Sequence, residues 1–141
     1  MTATMSRLCA FRVADLWLGV DAHHVQELLR PQPVTRVPLA AACVVGLMNL
    51  RGQIAVAIDV RLALGLPARA AGDAHMNVVV RDRDHIVALV VDRIDDVIEI
   101  DLGLLEPLPS GPRAIVALYK LPDRLCHVVD ISRLLAVGGS S

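Results

Sequence analysis

Short apolar runs separated by turn residues are the feature that most limits the fold of this chain. The runs are rich in Val, Ile and Leu, and each has the length of one strand. Polar turn signals divide them, as at Asp82-Arg83-Asp84 and Leu121-Pro122-Asp123. This pattern predicts an all-β barrel or sandwich. The runs are Leu8 to Val13, Leu16 to Val20, Gln53 to Ile58, Met76 to Val80, Ile86 to Val91, Val97 to Ile100, Ile115 to Leu118 and Leu125 to Val129.

A few short helices are expected beside the strands. Asp21 to Leu29 begins on a capping aspartate, carries apolar residues at helical spacing and stops before a proline, which predicts a helix. Val60 to Leu64 and Ser132 to Leu135 each follow an aspartate and predict single helical turns. Asp59 and Asp130 are interpreted as the N-caps of these turns rather than as catalytic groups.

Two parts of the chain repeat each other weakly. The stretch from Leu50 to Val60 resembles that from Leu121 to Ile131, since each has a polar turn, an apolar strand, an aspartate and a short helix. Leu18 to Asp21 resembles Leu89 to Asp92 at nearly the same offset. The repeat predicts two similar β lobes within one domain over residues 1–141, and the polar segment 67–73 is the expected connector between them.

Composition excludes several classes of function. The net charge is −1, which gives no electrostatic footprint for nucleic acid or an anionic membrane. The longest uncharged stretch, Val37 to Leu50, is too short to span a bilayer, so we expect an intracellular protein without membrane insertion. The cysteines, Cys9, Cys43 and Cys126, are too far apart for a metal motif and are expected to be buried.

Enzymatic motifs are missing from the sequence. No serine or cysteine lies in a motif typical of a catalytic nucleophile, and the histidines do not have the spacing of metal ligands. The sequence also contains no phosphate-binding loop. We therefore expect no catalytic residue, no metal and no cofactor. The aspartates Asp92, Asp95 and Asp96 are interpreted as a solvated face or a cap.

The hairpin predicted for Gly46 to Asp59 carries an unusual arginine. Tight hairpins prefer Asn-Gly or Asp-Gly turns, whereas the break here is Asn49-Leu50-Arg51-Gly52, which puts an arginine at the tip. A guanidinium on a rigid turn can bind a carboxylate or a partner protein. Glu27 is the candidate carboxylate, and the alternative is two unrelated surface charges.

Several segments of the chain follow the motifs of one known family. They are Val20 to Leu28, Thr35 to Pro38, Gly46 to Gly52 with Ile54, Val56, Ile58-Asp59 and Arg61, Leu89 to Asp92 with Asp96-Val97, and Leu121 to Leu125 with Val129 to Ile131. Together they resemble the CheW-like domain family, the adaptors of bacterial chemosensory arrays. The resemblance implies a mainly β fold of two SH3-like five-stranded barrel lobes with few helices. It also implies a non-catalytic adaptor in the cytoplasm, peripheral at membrane receptor arrays.

The partners that the resemblance implies are the regulatory domain of a CheA-type histidine kinase and the cytoplasmic tip of methyl-accepting receptors. In the family the receptor tip occupies the groove between the lobes, and one lobe pairs with the kinase. By motif match, the partner-binding positions are Val25, Glu27, Gly46, Asn49, Arg51 and Gly52. The alternatives are a scaffold of a pilus or surface-sensing pathway and a small β-barrel ligand-binding protein.

Overall fold

The computed structural model of the chain describes residues 4–108 and 110–139. Its strands are β1 (Met5–Val13), β2 (Leu16–Asp21), β3 (Val25–Leu29), β4 (Val44–Leu50), β5 (Gln53–Asp59), β6 (Met76–Asp82), β7 (His85–Val91), β8 (Arg93–Asp101), β9 (Glu106–Pro107), β10 (Ile115–Lys120) and β11 (Leu125–Val129). The helices are α1 (Val60–Ala63) and α2 (Ile131–Gly139), with 3-10 turns at Ala22–His24 and Leu102–Leu104. The expectation of a mainly β fold with few short helices is confirmed.

The strands form two sheets. The first has the order β8-β1-β2-β11-β10-β9 and the second has the order β3-β6-β7-β5-β4. The second sheet has the expected five strands. The first has six, because the two-residue strand β9 pairs with Ala117 and Leu118 of β10.

The first sheet combines strands from the two ends of the chain, β1 and β2 with β8 to β11, and the second contains the uninterrupted run from β3 to β7. Strand β3 follows β2 of the first sheet but pairs with β6 of the second, whereas β8 follows β7 of the second sheet but pairs with β1 of the first. The segment 67–73 follows β5 and α1 and precedes β6. Since β5 and β6 both belong to the second sheet, this segment does not join the two sheets. It separates the two sequence repeats, while the chain passes between the sheets at Ala22–His24 and at Asp92.

The predicted helix from Asp21 to Leu29 is wrong. Asp21 does cap a turn, since its carboxylate accepts a hydrogen bond from His23 N, but the turn is a single 3-10 turn followed by β3. Val25 and Leu29 have helical spacing in the sequence, but a bulge between Val25 and Glu27 places them on opposite faces of β3. The side chains of β3 alternate between half-buried and exposed, which is the period of a strand.

The core lies on both faces of the central strands. Along β7, Val87, Leu89 and Val91 join a large cluster shared between the two sheets, while Ile86, Ala88 and Val90 join a smaller one that belongs to the second sheet. A third cluster, which includes Leu8, Trp17 and Tyr119, belongs to the first sheet. Strands buried on both faces explain the positive mean hydropathy of +0.55.

The two repeated strand-to-helix joints have the expected caps. Asp59 Oδ1 accepts a hydrogen bond from Leu62 N at 3.4 Å, and Asp130 Oδ1 accepts one from Arg133 N at 3.0 Å. The three cysteines are buried and free, as expected. Burial raises the pKa of the Cys126 thiol to about 12 and also raises the pKa of Cys9.

Candidate functional site

The hairpin of β4 and β5 turns tightly at Arg51-Gly52. Leu50 pairs with Gln53, which leaves two loop residues with φ angles of 55° and 84°. Positive φ at both positions is the geometry of a type I′ turn. Asn49 Oδ1 accepts a hydrogen bond from Gly52 N at 3.0 Å and closes the turn. Gly52 suits this conformation, whereas Arg51 adopts it at a cost, since left-handed backbone disfavours residues with a Cβ.

Glu27 reaches the hairpin because β3 contains a bulge. Val25 pairs with Val80 and Glu27 pairs with the adjacent Val79, so the register shifts between them. Paired residues share a face, and thus Val25 turns towards the shared core while Glu27 turns to the opposite face. Gln26 at the bulge accepts a hydrogen bond from Arg81 Nε at 3.1 Å.

Glu27 and Arg51 form an ion pair. Arg51 Nη2 donates to Glu27 Oε1 at 2.8 Å. The carboxylate side chain is 18% exposed, while the arginine side chain is 78% exposed. One side of the guanidinium is therefore fixed and the rest remains available to a partner. The contact predicted from the sequence is present.

Gly46 has a structural role that the sequence did not reveal. It has a φ of 154°, and a Cβ at this position would lie 2.3 Å from Thr35 O. Thr35 pairs with the neighbouring Leu47 through two backbone hydrogen bonds of 2.8 and 2.7 Å. The glycine thus lets the segment after β3 cross close to β4. Gly46 is buried and Val25 is half-buried, so both lie behind the exposed Arg51.

An apolar groove begins three residues along the chain from Arg51, and its lining residues were not among the predicted partner-binding positions. It has a volume of about 510 Å³ and lies between the second sheet and α2. Ile54 stands at its edge with 58% of its surface exposed. The available signal was an isoleucine directly after a tight turn, where solvent exposure is expected. The lining residues are Ile54, Val56, Ile58, Asp84, His85, Ile86, Val87 and Leu135.

Asp92 belongs to a buried ionic network rather than to a solvated face or a helix cap. Both of its carboxylate oxygens lie 3.0 Å from Arg61 Nε, and Oδ1 accepts a hydrogen bond from Arg69 Nη1 at 3.2 Å. Oδ2 also accepts one from Ala14 N at 2.7 Å. Burial alone would raise the pKa of Asp92, but the bonds from Arg61, Ala14 and Arg69 hold it below its ordinary value.

The interpretation of the neighbouring aspartates as a solvated face also needs correction at Asp95, whose carboxylate pairs with Arg12 Nε at 3.1 Å. In residues 4–108 and 110–139, no three His, Cys, Asp or Glu side chains come together as a metal site would require. Of the helices in these ranges, none has the length and apolar character that a bilayer crossing requires.

The model of the CheW-like domain matches residues 7–138, which is nearly the whole chain. The chain belongs to the CheW-like domain family. Among CheW relatives, the chemotaxis protein CheW of Rhizobium meliloti is 32% identical over 103 residues, which are 73% of this chain and 66% of that protein. The chemotaxis protein CheW of Bacillus subtilis is 28% identical over 137 residues, which are 94% of this chain and 88% of that protein.

The fold agrees with that of a solved CheW structure. The scaffolding protein TtCheW from Thermoanaerobacter tengcongensis has a TM-score of 0.87 and 25% identity to this chain, and the match covers 97% of each. The two-sheet arrangement is thus a CheW-like fold, and the chain is a member of a family of chemotaxis scaffolds.

Proposed function

We propose that this chain is a non-catalytic adaptor that links the cytoplasmic tip of methyl-accepting receptors to the regulatory domain of a CheA-type histidine kinase. The observation that carries the proposal is the geometry of Arg51. This arginine occupies a left-handed turn position that suits glycine or asparagine, and its guanidinium is fixed by Glu27 but largely exposed. Strain of this kind is typical of functional positions.

The groove beside Arg51 suits a helical partner. Its lining is mostly aliphatic. The groove lies between the second sheet and α2, the helix that follows β11 of the first sheet. A helix with apolar residues on one face could bury them there. Ile58 and Val87 of the groove face the shared core, whereas Glu27 faces the other side of the sheet, so a carboxylate that binds Arg51 would come from a different part of the partner. The receptor tip is our candidate for this helix, and the kinase domain is the candidate for a separate surface of the lobes.

The remaining positions support this surface from beneath. Asn49 and Gly52 hold the turn, Gly46 allows the close approach of Thr35, and Val25 anchors β3 in the shared core. We propose that they act by positioning Glu27 and Arg51. The two sheets act as one CheW-like unit over residues 1–141, because the first is built from both ends of the chain and the second from the middle. We propose that the adaptor acts in the cytoplasm and reaches the membrane only through its receptors.

Binding of the purified chain to a receptor hairpin fragment and to a kinase regulatory domain tests the proposal. We expect association with both partners and, for Arg51→Gln, a loss of at least about tenfold in receptor affinity, as for an interface hot spot. The matched control is Arg12→Gln, which breaks the exposed Arg12–Asp95 pair on the first sheet and should retain receptor binding.

Two outcomes contradict the proposal. One is that the unchanged chain binds neither partner at tens of micromolar. The other is that Arg51→Gln and Arg12→Gln weaken receptor binding equally while both variants remain folded by circular dichroism, because the effect would then not belong to the Arg51 surface.

A further inference from the structure

Leu39 is a fully exposed leucine in a left-handed backbone conformation. Its relative exposure is 104%, and its φ is 64°. Left-handed backbone disfavours residues with a Cβ, and asparagine is among the non-glycine residues that adopt it most readily. Neither burial in the monomer nor backbone preference therefore explains a leucine here. A strained and fully exposed apolar side chain points to a contact outside its own chain.

The loop that carries Leu39 is fixed at both ends. Before it, Thr35 exchanges two backbone hydrogen bonds of 2.8 and 2.7 Å with Leu47 of β4. After it, Val44 N donates to Ala41 O at 2.9 Å and closes a turn at the start of β4. The loop therefore presents Leu39 in a defined position on the surface.

An apolar recess of about 580 Å³ adjoins Leu39. Three consecutive alanines, residues 40–42, line it, and their short side chains leave room for a larger one. Val37 and Val45 also line it and are 39% and 36% exposed. Within the part of the chain that the structure describes, the lining has one charged side chain, that of Arg36. We call the residues of this recess (36–42, 44, 45 and 62) the Leu39 patch.

The properties of the Leu39 patch favour a second copy of this chain as its occupant. A two-fold interface must be complementary to itself, and this patch has both a protruding side chain and a recess that can receive one. Its low charge gives two copies little repulsion across the contact, and the net charge of −1 adds little at long range. We propose that two copies pair through the Leu39 patch, with Leu39 of each copy in the recess of the other.

The Leu39 patch lies at the far end of β4 from the hairpin tip. The patch precedes and includes the start of the strand at Val44, whereas Arg51 follows its end at Leu50. A strand of seven residues spans about 20 Å at about 3.4 Å per residue. Pairing through the patch thus leaves the hairpin tip accessible. Under the proposed function, one pair of chains then carries two receptor-binding hairpins, whereas the pairing itself concerns this chain alone.

Sedimentation velocity of the purified chain over a range of concentrations tests the inference without any partner. A reducing agent is included so that the free cysteines contribute no disulfide. The patch has ten residues, whereas a standard interface has about 20–30 on each side. We therefore expect a weak dimer with a dissociation constant between about 10 μM and 1 mM.

Two variants change the two complementary parts of the patch. Leu39→Asn removes the protruding side chain and keeps a residue that suits left-handed backbone, so the fold should be retained. Ala42→Glu places a charge in the recess from an exposed position. Each should weaken the dimer at least about tenfold, as for the central residue of an interface. The matched control is Leu104→Asn, which makes the same change at a leucine that is 63% exposed outside the patch and should leave the dimer unchanged.

Three results overturn the inference. The unchanged chain could remain monomeric at about 1 mM. Leu39→Asn and Leu104→Asn could weaken the dimer equally while both are folded by circular dichroism, or Ala42→Glu could pair as tightly as the unchanged chain. A monomeric chain whose Leu39→Asn variant binds the kinase regulatory domain more weakly would assign the patch to that partner instead of a second copy.

Discussion

Arg61 and Asp92 meet just beyond the ends of two paired parallel strands. Asp59 of β5 pairs with Val90 of β7, and both residues of the ion pair lie two positions further along. Arg61 Nε lies 3.0 Å from both oxygens of Asp92. Their side chains are 19% and 18% exposed, so this pair is largely removed from solvent.

Asp92→Asn should therefore destabilise the fold. The substitution keeps the shape of the side chain but leaves Arg61 without its carboxylate partner, while Arg69 retains only Asp59 at 3.7 Å. Removal of one partner from a buried pair costs several kcal/mol, and the partial exposure here places the expected loss at about 2–3 kcal/mol. Urea unfolding measures it, with Asp95→Asn as the control, for which an exposed pair predicts less than about 1 kcal/mol. Equal losses in the two variants would refute the distinction.

The same network predicts how stability depends on pH. The pKa of Asp92 is lower in the folded chain than in the unfolded chain, because Arg61, Ala14 and Arg69 stabilise its charged form more than burial opposes it. Its contribution is therefore complete above the unfolded pKa of about 3.9 and is lost as the pH falls through the lower folded value. When the unfolding free energy is measured at successively lower pH, it should fall less steeply below about pH 4 for Asp92→Asn than for the unchanged protein. Parallel curves would contradict the assignment.

Local chemistry was enough to predict most strands and the caps at Asp59 and Asp130. The apolar runs are long enough to fix strand identity, and each aspartate stands next to the turn that it caps. The Glu27–Arg51 contact was one of two alternatives, because a carboxylate on an otherwise apolar segment and an arginine in a turn could also have been unrelated surface charges. Its partner-binding role remains a prediction.

Long-range topology is what the sequence could not reveal. The strand β3 was mistaken for a helix, because Val25 and Leu29 have helical spacing, and the bulge that puts them on opposite faces of the strand is visible only in the pairing with β6. Asp92 was assigned to a solvated face, because Arg61 approaches it only once β5 and β7 lie side by side. The segment 67–73 marks the boundary between the sequence repeats. The chain passes from one sheet to the other elsewhere, at Ala22–His24 and at Asp92, and these crossings leave no local pattern in the sequence.

Two glycines in the same hairpin should respond differently to alanine. In Gly46→Ala the new Cβ would lie 2.3 Å from Thr35 O and 2.5 Å from Val34 Cγ1, so the backbone must move. A Cβ at Gly52 meets nothing within 4 Å, and only its φ of 84° opposes the substitution. We expect losses of about 3 kcal/mol or more for Gly46→Ala, which adds overpacking to strain, and about 1–2 kcal/mol for Gly52→Ala. Thermal or urea unfolding of both variants decides, and the opposite ranking would be inconsistent with the close approach of Thr35.

Arg51→Asn should separate stability from function. The variant has the Asn-Gly sequence that type I′ turns prefer, and relief of the left-handed arginine is worth about 1 kcal/mol. The lost pair with Glu27 offsets part of this gain, by about 0.2–1 kcal/mol for an exposed pair, and the arginine side chain is 78% exposed. Urea unfolding should therefore give a variant that is as stable as the unchanged chain or more stable by up to about 1 kcal/mol. Under the proposed function the same variant loses receptor binding. A clear loss of stability would mean that the Glu27–Arg51 pair stabilises the fold by more than an exposed ion pair can. Arg51 would then be required for the fold rather than for a partner.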